Sequence, residues 1–266
     1  MELSTRIKEY YEDRTKTFLP RRTITLIRLD GKGFSKYTKS LKKPFDDGFS
    51  NDMDETAKYL CENIQGAKFA YTQSDEITVV MTDFDNLESQ AWFDYNVQKV
   101  TSISASLATA KFNQLRLLRK CAQIDNDDKF KMLEDFDIKA VKLATFDARV
   151  FQVPTVDEMV NTLIWRQQDC SRNSVSMAAD ALYSHSKLEG KSGSDKQDLL
   201  MEKGVNWNNY LPKYKRGSVV KKEKVMVDGR DGKVERTKWV VDNNTPIFTQ
   251  NKEYLIDLVA ITKIIE

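Results

Sequence analysis

Apolar and polar positions in the first third of the chain follow the periods of strands and of one helix. The apolar run over residues 23–29 predicts a strand that ends in a polar, glycine-containing turn at 30–33. Residues 46–66 have the pattern of a helix that stops at its final glycine. Two further strands, 67–73 and 76–82, flank two polar positions and are predicted to form a hairpin.

The rest of the chain predicts two long helices and more strands. Thr155, followed three residues later by Glu158, has the capping-box pattern that begins a helix. In chain order we predict a helix from 87 to about 119, an irregular polar loop over 123–137, a strand from 139 that stops at Pro154, the capped helix, a flexible connector over 189–197, and short strands over 216–227 and 237–242 split by a turn.

This order of elements is typical of a ferredoxin-like sheet. We therefore predict an α+β fold with a ferredoxin-like βαββαβ core over residues 1–153. Helices and short strands over residues 154–266 would pack on that core as one structural unit. The first two strands would run parallel, with the third antiparallel between them. Asp30, at the end of the first strand, would then lie at the same sheet edge as Asp75 and Glu76 at the hairpin tip.

Carboxylates that converge at one sheet edge point to metal-assisted phosphoryl transfer. Two or three of them can bind a pair of Mg²⁺ ions, which align an attacking oxygen, a phosphorus and a leaving oxygen. Gly31 and Gly33 would let backbone amides approach a triphosphate, and Lys32 and Lys43 would neutralise its charge. Each segment taken alone also fits an ordinary solvated turn or surface, so the prediction depends on their combination in this strand order.

Composition narrows the chemistry further. His185 is the only histidine and the three cysteines form no CxxC pair, which argues against histidine-based zinc sites and Ser-His-Asp triads. A metal site would need oxygen ligands, which favours Mg²⁺, Mn²⁺ or Ca²⁺. With 40% apolar and 31% charged residues, the chain is expected to be a folded globular protein. We expect no membrane span and no signal peptide, and therefore a cytoplasmic protein.

Five short segments together resemble the tRNA-His guanylyltransferase-like family. They read RLDGKGF, KKPFD, YTQSDE, FDARVFQVP and WRQQDCSRN, and they occur in the order and approximate spacing of the family pattern RLDGRxFxxF, KPxD, YGQSDE, FDGRV and WRQxDxxxN. The resemblance covers about residues 23–220. Members of this family are 3′–5′ polymerases that add nucleotides to the 5′ end of tRNA, and the resemblance implies a palm domain of the polymerase type.

The resemblance implies a role for individual residues. Asp30 and Asp75 would be the two metal-binding aspartates, Gly31 would offer its carbonyl to a metal, and Glu76 would be the adjoining acid that activity requires. The implied nucleotide-binding residues are Asp30, Gly31, Lys32, Gly33, Phe34, Ser35, Lys43, Asp46, Ser74 and Asp75. The implied contacts to tRNA or to the activating nucleotide are Arg166, Gln167, Asp169, Asn173, Lys196, Lys215 and Arg216. Further candidates for phosphate contacts are Arg116, Arg119, Lys120 and Lys213.

One segment departs from the family pattern. Where full tRNA-His guanylyltransferases have a HINNLYN-like stretch, this chain has Ser171 in place of the histidine and Met177 in place of the last asparagine, while Asn173 remains. This is similar to the template-dependent branch, and it implies repair of tRNA 5′ ends rather than addition specific to histidine tRNA. The implied cofactors are two Mg²⁺ ions, with ATP, GTP or other nucleoside triphosphates as substrates; the implied partners are tRNA and three further copies in a homotetramer. Trp165 of the same helix is expected in the core.

Three alternatives stay open at this point. A classical tRNA-His guanylyltransferase would add G at position −1 of the tRNA. A nucleotide cyclase of the palm type would cyclise a nucleoside triphosphate without RNA. A non-catalytic tRNA-binding protein would bind RNA equally well without Mg²⁺, although the complete set of Asp30, Asp75 and Glu76 argues against it.

Overall fold

The computed structural model describes residues 1–122, 142–229 and 232–260. The loop predicted over 123–137 therefore lies outside the described residues. Short helical turns join some of the named elements. The elements are α1 (Leu3–Ile7), β1 (Ile24–Gly31), α2 (Phe34–Tyr37), α3 (Asp47–Asn63), β2 (Ala67–Gln73), β3 (Glu76–Met81), α4 (Val97–Ala122), β4 (Phe146–Val153), α5 (Val156–Asp180), α6 (His185–Leu188), α7 (Gly193–Glu202), α8 (Pro212–Arg216), β5 (Ser218–Gly229), β6 (Gly232–Asp242) and α9 (Glu253–Ala260).

The six strands form one antiparallel-paired sheet in the order β4-β1-β3-β2-β5-β6. β3 lies between β1 and β2, which therefore run parallel to each other, so the predicted ferredoxin-like arrangement is confirmed. β5 pairs with β2 at Ala70 and Val220, so the C-terminal part of the chain continues the same sheet. β5 has 12 residues and is shifted by two from the predicted range 216–227, whereas β6 has 11 residues and begins five residues before the predicted range 237–242.

Helices cover both faces of the sheet. Because side chains alternate along a strand, neighbouring residues of β1 enter different layers: Ile27 and Leu29 pack under α3 and α4, whereas Leu26 packs under α5 and α9. Burial on both faces explains why β1 and β3 read as nearly continuous apolar runs. Within the described ranges, the helices lack the combination of length and apolarity needed to cross a bilayer.

The first long helix begins later than predicted. α4 starts at Val97 rather than near 87, because Asn96 caps it: the Asn96 Oδ1 atom accepts a hydrogen bond from the Lys99 backbone N–H at 3.0 Å. Just before this cap, Phe93 and Asp94 have positive φ angles, which a helix does not allow. The first three residues of the strand predicted from 139 lie outside the described residues, and β4 begins at Phe146.

The region around the predicted connector also differs from expectation. Residues 193–202 form α7, because Ser192 and Asp195 make a complete capping box in which each side chain bonds the other residue's backbone. The glycine and serine content suggested flexibility, but the Ser-x-x-Asp spacing is a helix-start signal. At α5 only one of the two hydrogen bonds of the predicted capping box is present. The Thr155 side chain accepts a hydrogen bond from the Glu158 N–H, whereas the Glu158 carboxylate accepts one from the Asn161 side chain.

Candidate active site

The predicted acids meet at one edge of the sheet. Asp30, the penultimate residue of β1, is the Cα partner of Glu76 in the β1–β3 ladder. The next backbone N–H, that of Gly31, donates to the Asp75 carbonyl oxygen at 3.1 Å. Residues separated by more than forty positions in the sequence are thus joined directly, and the predicted convergence of strand end and hairpin tip is present.

A further acid, Asp147, extends this row on the other side of β1. Asp147 is the Cα partner of Asp30 in the β1–β4 ladder, so Asp147, Asp30 and Glu76 lie side by side on one face of the sheet. Asp147 is exposed and lies 3.8 Å from an Arg149 nitrogen. Asp147 was not among the residues predicted for the site, although it lies in the FDARV segment and the strand order alone places it beside Asp30.

Burial and charge make the hairpin acids receptive to a cation. Burial raises the pKa of Asp75, and the neighbouring Asp30 raises it further. A divalent cation between the two would reverse both effects, so these residues fit a metal site. Among the described residues, no three acidic, histidine or cysteine side chains are close enough to hold a metal on their own. The donor set that fits is therefore two aspartates with the Gly31 carbonyl, and Mg²⁺ accepts such a set because water and phosphate fill the rest.

Glu76 has a protein partner of its own. Its Oε1 atom lies 2.9 Å from the Nε atom of Arg166, an ion pair without an aligned hydrogen bond, and it accepts a hydrogen bond from Gln73 Nε2 at 3.2 Å. Burial raises the pKa of Glu76, and Arg166 counteracts that rise. The other side of the Arg166 guanidinium pairs with Asp169. Arg166 is thus buried between two acids, so it acts on the site through Glu76, and its predicted role at the tRNA or the activating nucleotide stays a prediction.

The backbone of the segment after Asp30 is suited to binding phosphate. Lys32, Gly33 and Ser35 are exposed, whereas the Phe34 side chain lies in the core, so only the Phe34 backbone remains for a nucleotide. The Phe34 ring packs against Gly31, where a Cβ atom would come within 2.4 Å of it. Glycine is required at that position because a side chain would push away the ring that fixes the turn.

The other predicted nucleotide residues have different surroundings. Lys43 is exposed, and Ser74 lies exposed in the hairpin turn with a positive φ angle of 48°. The Asp46 carboxylate caps α3 by accepting from the Phe49 N–H at 2.7 Å and also accepts from the Lys42 N–H. This engagement gives Asp46 a structural role in holding the segment that presents Lys43.

Several residues predicted to contact tRNA or nucleotide instead support the C-terminal part of the fold. Gln167 is buried and braces the segment 246–248: its Oε1 accepts from the Phe248 N–H and its Nε2 donates to the Pro246 carbonyl. Lys215 is buried and donates to the Asn208 carbonyl. Arg216 donates to the Thr245 carbonyl. Asn173 is exposed, and Lys196 donates to Ser176 Oγ at 3.0 Å on a half-buried site. The side chains of Gln167 and Lys215 are thus buried in protein contacts, and their predicted role at the tRNA or the activating nucleotide stays a prediction.

Two basic residues of α4 that are candidates for phosphate contacts form ion pairs within the protein. Arg116 and Arg119 both bind the buried Asp52 carboxylate of α3, at 3.0 Å and 2.7 Å. A buried carboxylate needs such partners, so these arginines join α3 to α4. Lys213 lies 3.5 Å from an Asp47 oxygen, and Lys120 is exposed.

Trp165 contradicts the expectation that it belongs to the core. Half of its surface, 50%, is exposed. The Arg166 guanidinium lies 4.1 Å and the Arg28 guanidinium 5.7 Å from its ring centroid, so cation–π contacts hold it at the surface. Arg28 lies two residues before Asp30 on the same face of β1. The Trp165 indole therefore lies beside the acidic edge.

The two positions that depart from the family pattern have distinct environments. Ser171 Oγ donates to the Lys215 carbonyl at 2.8 Å and so joins α5 to α8. Met177 lines a cavity between α3, α5, α8 and the end of β2. Ser74 and Asn173 line the same cavity, which therefore lies beside the hairpin tip.

An antiparallel palm-like sheet with two aspartates at one edge has the arrangement that metal-assisted phosphoryl transfer requires. The family model for Thg1, tRNAHis guanylyltransferase, matches residues 4–154, more than half of the chain. The chain belongs to this family, and it is a nucleotidyltransferase of the tRNA-His guanylyltransferase-like type.

Individual relatives agree with this assignment. A bacterial tRNA(His) guanylyltransferase (Thg1)-like protein, solved in complex with ATP, is 40% identical with a TM-score of 0.79 and covers 97% of this chain and 99% of its own. Uncharacterised protein R259 of Acanthamoeba polyphaga mimivirus is 30% identical over 245 residues, covering 85% of this chain and 82% of that protein. The tRNA(His) guanylyltransferase of Schizosaccharomyces pombe is 28% identical over 226 residues, covering 80% and 77%.

Proposed function

We propose that this protein is a template-dependent 3′–5′ nucleotidyltransferase that adds nucleotides to the 5′ end of tRNA and so repairs truncated ends. The observation that carries the proposal is the junction of Asp30 with the Asp75-Glu76 hairpin tip in a chain of this family. Ser171 and Met177, in place of the family histidine and asparagine, favour the template-dependent branch. The near-complete match to a bacterial Thg1-like protein supports the same branch.

Asp30, Asp75 and the Gly31 carbonyl would hold two Mg²⁺ ions. When bound, the ions neutralise charge on the triphosphate and on the reacting phosphorus. The chain itself supplies position and charge: backbone amides of residues 32–35 approach the phosphates, and the exposed Lys32 and Lys43 add positive charge. Glu76, held by Arg166 beside Asp30, adds negative charge at the cation-binding edge and fixes the position of the β1–β3 pair.

The reaction has two phosphoryl-transfer steps. An oxygen of the tRNA 5′-monophosphate first attacks the α-phosphorus of ATP or GTP, and pyrophosphate leaves. The 3′-hydroxyl of the incoming nucleotide then attacks the activated 5′ phosphate and releases the nucleoside monophosphate. Pairing with the opposite strand of the acceptor stem positions the correct incoming base. A mispaired base displaces the 3′-hydroxyl, and displacement by about 1 Å costs on the order of a hundredfold in rate.

The test is to vary the template. Truncated tRNAs that lack the first 5′ nucleotide are made with each of the four bases opposite the gap, and incorporation of each nucleoside triphosphate is measured. We expect the added nucleotide to change with the template base, G opposite C and U opposite A. Addition of G whatever the template would reject the proposal.

The second candidate function is the classical tRNA-His guanylyltransferase. It is favoured by the description of the matching family model and by the relative from Schizosaccharomyces pombe. The same experiment decides between the two, because a classical enzyme would use full-length histidine tRNA better than any truncated tRNA. An RNA-independent cyclase would instead convert labelled GTP to a cyclic product when tRNA is left out.

Lys43 offers a separate check on the nucleotide side of the site. We expect Lys43→Ala to lower kcat/KM for the nucleoside triphosphate about tenfold or more while leaving the Kd for tRNA nearly unchanged, because a cation near a triphosphate stabilises its charge. Steady-state kinetics and a tRNA binding assay give the two values. Lys42→Ala, the same change at the exposed neighbour, is the matched control. Lost tRNA affinity with normal nucleotide kinetics would indicate that Lys43 contacts the RNA rather than the triphosphate.

A further inference from the structure

The segment that follows the acidic edge carries positive charge only. Residues 31–45 contain five lysines and neither aspartate nor glutamate, although the whole chain is nearly balanced, with 42 lysines and arginines against 40 aspartates and glutamates. All five lysines are exposed. Crowded like charges raise the local potential and attract anions. Within the described part of the chain, the lysines that form salt bridges lie elsewhere, at Lys16, Lys58, Lys68, Lys213, Lys221 and Lys224.

Two of the five lysines have no role in the proposed reaction. Lys32 and Lys43 add charge at the triphosphate, and Lys42 precedes Lys43 directly. Lys36 belongs to α2, and Lys39 lies three residues later in the short helical turn that follows α2. Because residues three apart in a helical segment lie on the same side, Lys36 and Lys39 present two positive charges next to each other.

A third cation reaches the same place from a distant part of the chain. Lys142 Nζ donates a hydrogen bond to the Lys36 carbonyl oxygen at 2.6 Å and lies 4.9 Å from the centroid of the Tyr37 ring. An ammonium group has three N–H donors, so Lys142 keeps donors for a ligand while it is held over the end of α2. We refer to Lys36, Lys39 and Lys142 as the lysine ridge.

The lysine ridge stands on a rigid base. The buried Phe34 ring of α2 packs against Phe112 and Phe146, with centroid distances of 5.7 Å and 5.1 Å. The Tyr37 ring stacks on Phe34 at 5.0 Å, and the Thr38 hydroxyl donates to the Phe34 carbonyl at 2.8 Å. Since the backbone below the lysines is anchored in the core, their charges are presented at fixed positions, and a bound anion has only side chains to order.

The lysine ridge also lies near the reacting edge. The Lys32 N–H donates to the Thr145 carbonyl at 2.9 Å, which joins the turn after Asp30 to the segment that follows Lys142. Lys39 comes nine residues after Asp30, and because helical turns intervene its Cα lies at most about 25 Å away. That span is shorter than one turn of a nucleic-acid duplex, about 34 Å. Phosphates within reach of the ridge are therefore those close to the reacting end.

We propose that the lysine ridge binds the phosphate backbone of the RNA duplex beside its reacting 5′ end. The ridge is an exposed surface, and among the described residues that line the cavity beside the hairpin none is a ridge lysine, so it fits the backbone of a macromolecule better than a free nucleotide. Lysine ammonium groups are point charges that bind phosphate without reading a base. This inference rests on the proposed function, because it requires an RNA substrate.

The salt dependence of RNA binding tests the proposal. The Kd of 5′-monophosphorylated tRNA is measured from about 50 to 300 mM salt for wild type and for the triple variant Lys36→Gln, Lys39→Gln and Lys142→Gln. Each phosphate contact adds about 0.9 to the slope of log Kd against log salt concentration. We expect the triple variant to lower that slope by about 2–3 and to raise the Kd about tenfold or more near 0.1 M salt.

Two control proteins separate phosphate contacts from general charge. Arginine at the same three positions keeps the charge and should keep the slope within about 1 of wild type. Glutamine at Lys8, Lys191 and Lys252, three exposed lysines on separate parts of the chain, changes the net charge equally and should lower the slope by less than about 1. Thermal unfolding should give a Tm within a few degrees of wild type for each variant, as expected for exposed positions.

A short RNA and the kinetics locate the contact. We expect the same slope difference with a 5′-phosphorylated hairpin of about ten base pairs, because this length matches the reach of the ridge. At saturating tRNA the glutamine variant should recover kcat to within about threefold of wild type, because binding and not the reacting atoms is affected. A slope difference with tRNA that is absent with the hairpin, or a lower kcat with a normal Kd, would overturn the proposal.

The outcomes distinguish this inference from the proposed function. An unchanged slope in the glutamine variant, or an equal change in the control at Lys8, Lys191 and Lys252, would reject the lysine ridge even if wild type adds nucleotides by template. Conversely, template-independent addition of G by wild type would reject the proposed function, and a lower slope in the glutamine variant would still support the ridge as an RNA-binding surface.

Discussion

Replacing Asp30 or Asp75 by alanine is expected to abolish nucleotide addition, a loss of about a thousandfold or more, while the protein stays folded. Both acids lie at the junction of β1 and the β2–β3 hairpin, where Gly31 N–H bonds the Asp75 carbonyl. Each would supply one of the few protein ligands to the cations, and an alanine removes charge that the other carboxylate cannot replace. Since burial raises the pKa of Asp75, its loss should not destabilise the fold.

Addition to truncated tRNA under single-turnover conditions measures this effect, and thermal unfolding confirms the fold. Asp147→Asn is the matched control, because Asp147 is the cross-strand neighbour of Asp30 on the same face but is exposed and outside the predicted ligand set. We expect that variant to retain activity within about tenfold of wild type, as for a surface charge. Substantial activity in Asp30→Ala or Asp75→Ala would refute the metal assignment. An equal loss in Asp147→Asn would indicate that the whole acidic row matters rather than two specific ligands.

The central sheet could be predicted because its local patterns and its topology agree. β1 and β3 are apolar on both faces, and polar residues follow at their ends. The sequence pattern therefore predicted both the strands and the hairpin between β2 and β3. The strand order then placed Asp30 beside Asp75 without further information. The misplaced start of α4 and the missed helix α7 have a common cause: caps at Asn96 and at Ser192 decide these boundaries more than average composition does.

The remainder of the site depends on contacts that no local pattern reveals. Asp54 follows the buried Met53 in α3 and reads as an ordinary helix acid, but β5 and α8, some 160 positions later, close over it and make it the floor of a cavity. Trp165 reads as core because tryptophan is large and apolar, yet guanidinium groups from β1 and α5 hold it at the surface. Likewise, no local pattern reveals that Arg119 pairs with Asp52, which is buried across the α3–α4 interface.

Among the side chains at this edge, Arg166 is expected to cause the largest loss in the free energy of unfolding when it is replaced. Its side chain is 7% exposed and its guanidinium lies between Glu76 and Asp169. Arg166→Met would leave the Glu76 carboxylate buried without its cation, and breaking a buried pair costs about 3–5 kcal/mol. The pKa of Glu76, already raised by burial, would rise further, so the loss of stability should grow as the pH rises from 5 to 8.

Urea unfolding of Arg166→Met, Glu76→Gln and the double variant tests this cause directly. If the cost comes from the unpaired carboxylate, Glu76→Gln should restore part of the stability lost in Arg166→Met, with a coupling free energy of at least about 1 kcal/mol. Arg172→Met is the matched control on the same helix: Arg172 also pairs with Asp169, at 3.0 Å, but its side chain is 62% exposed, so its removal should cost less than about 1 kcal/mol. Equal costs for Arg166→Met and Arg172→Met, or no recovery in the double variant, would mean that Arg166 does not secure Glu76 at the acidic edge. Recovery of stability without recovery of nucleotide addition would show that the edge needs the charge of Glu76 as well as its position.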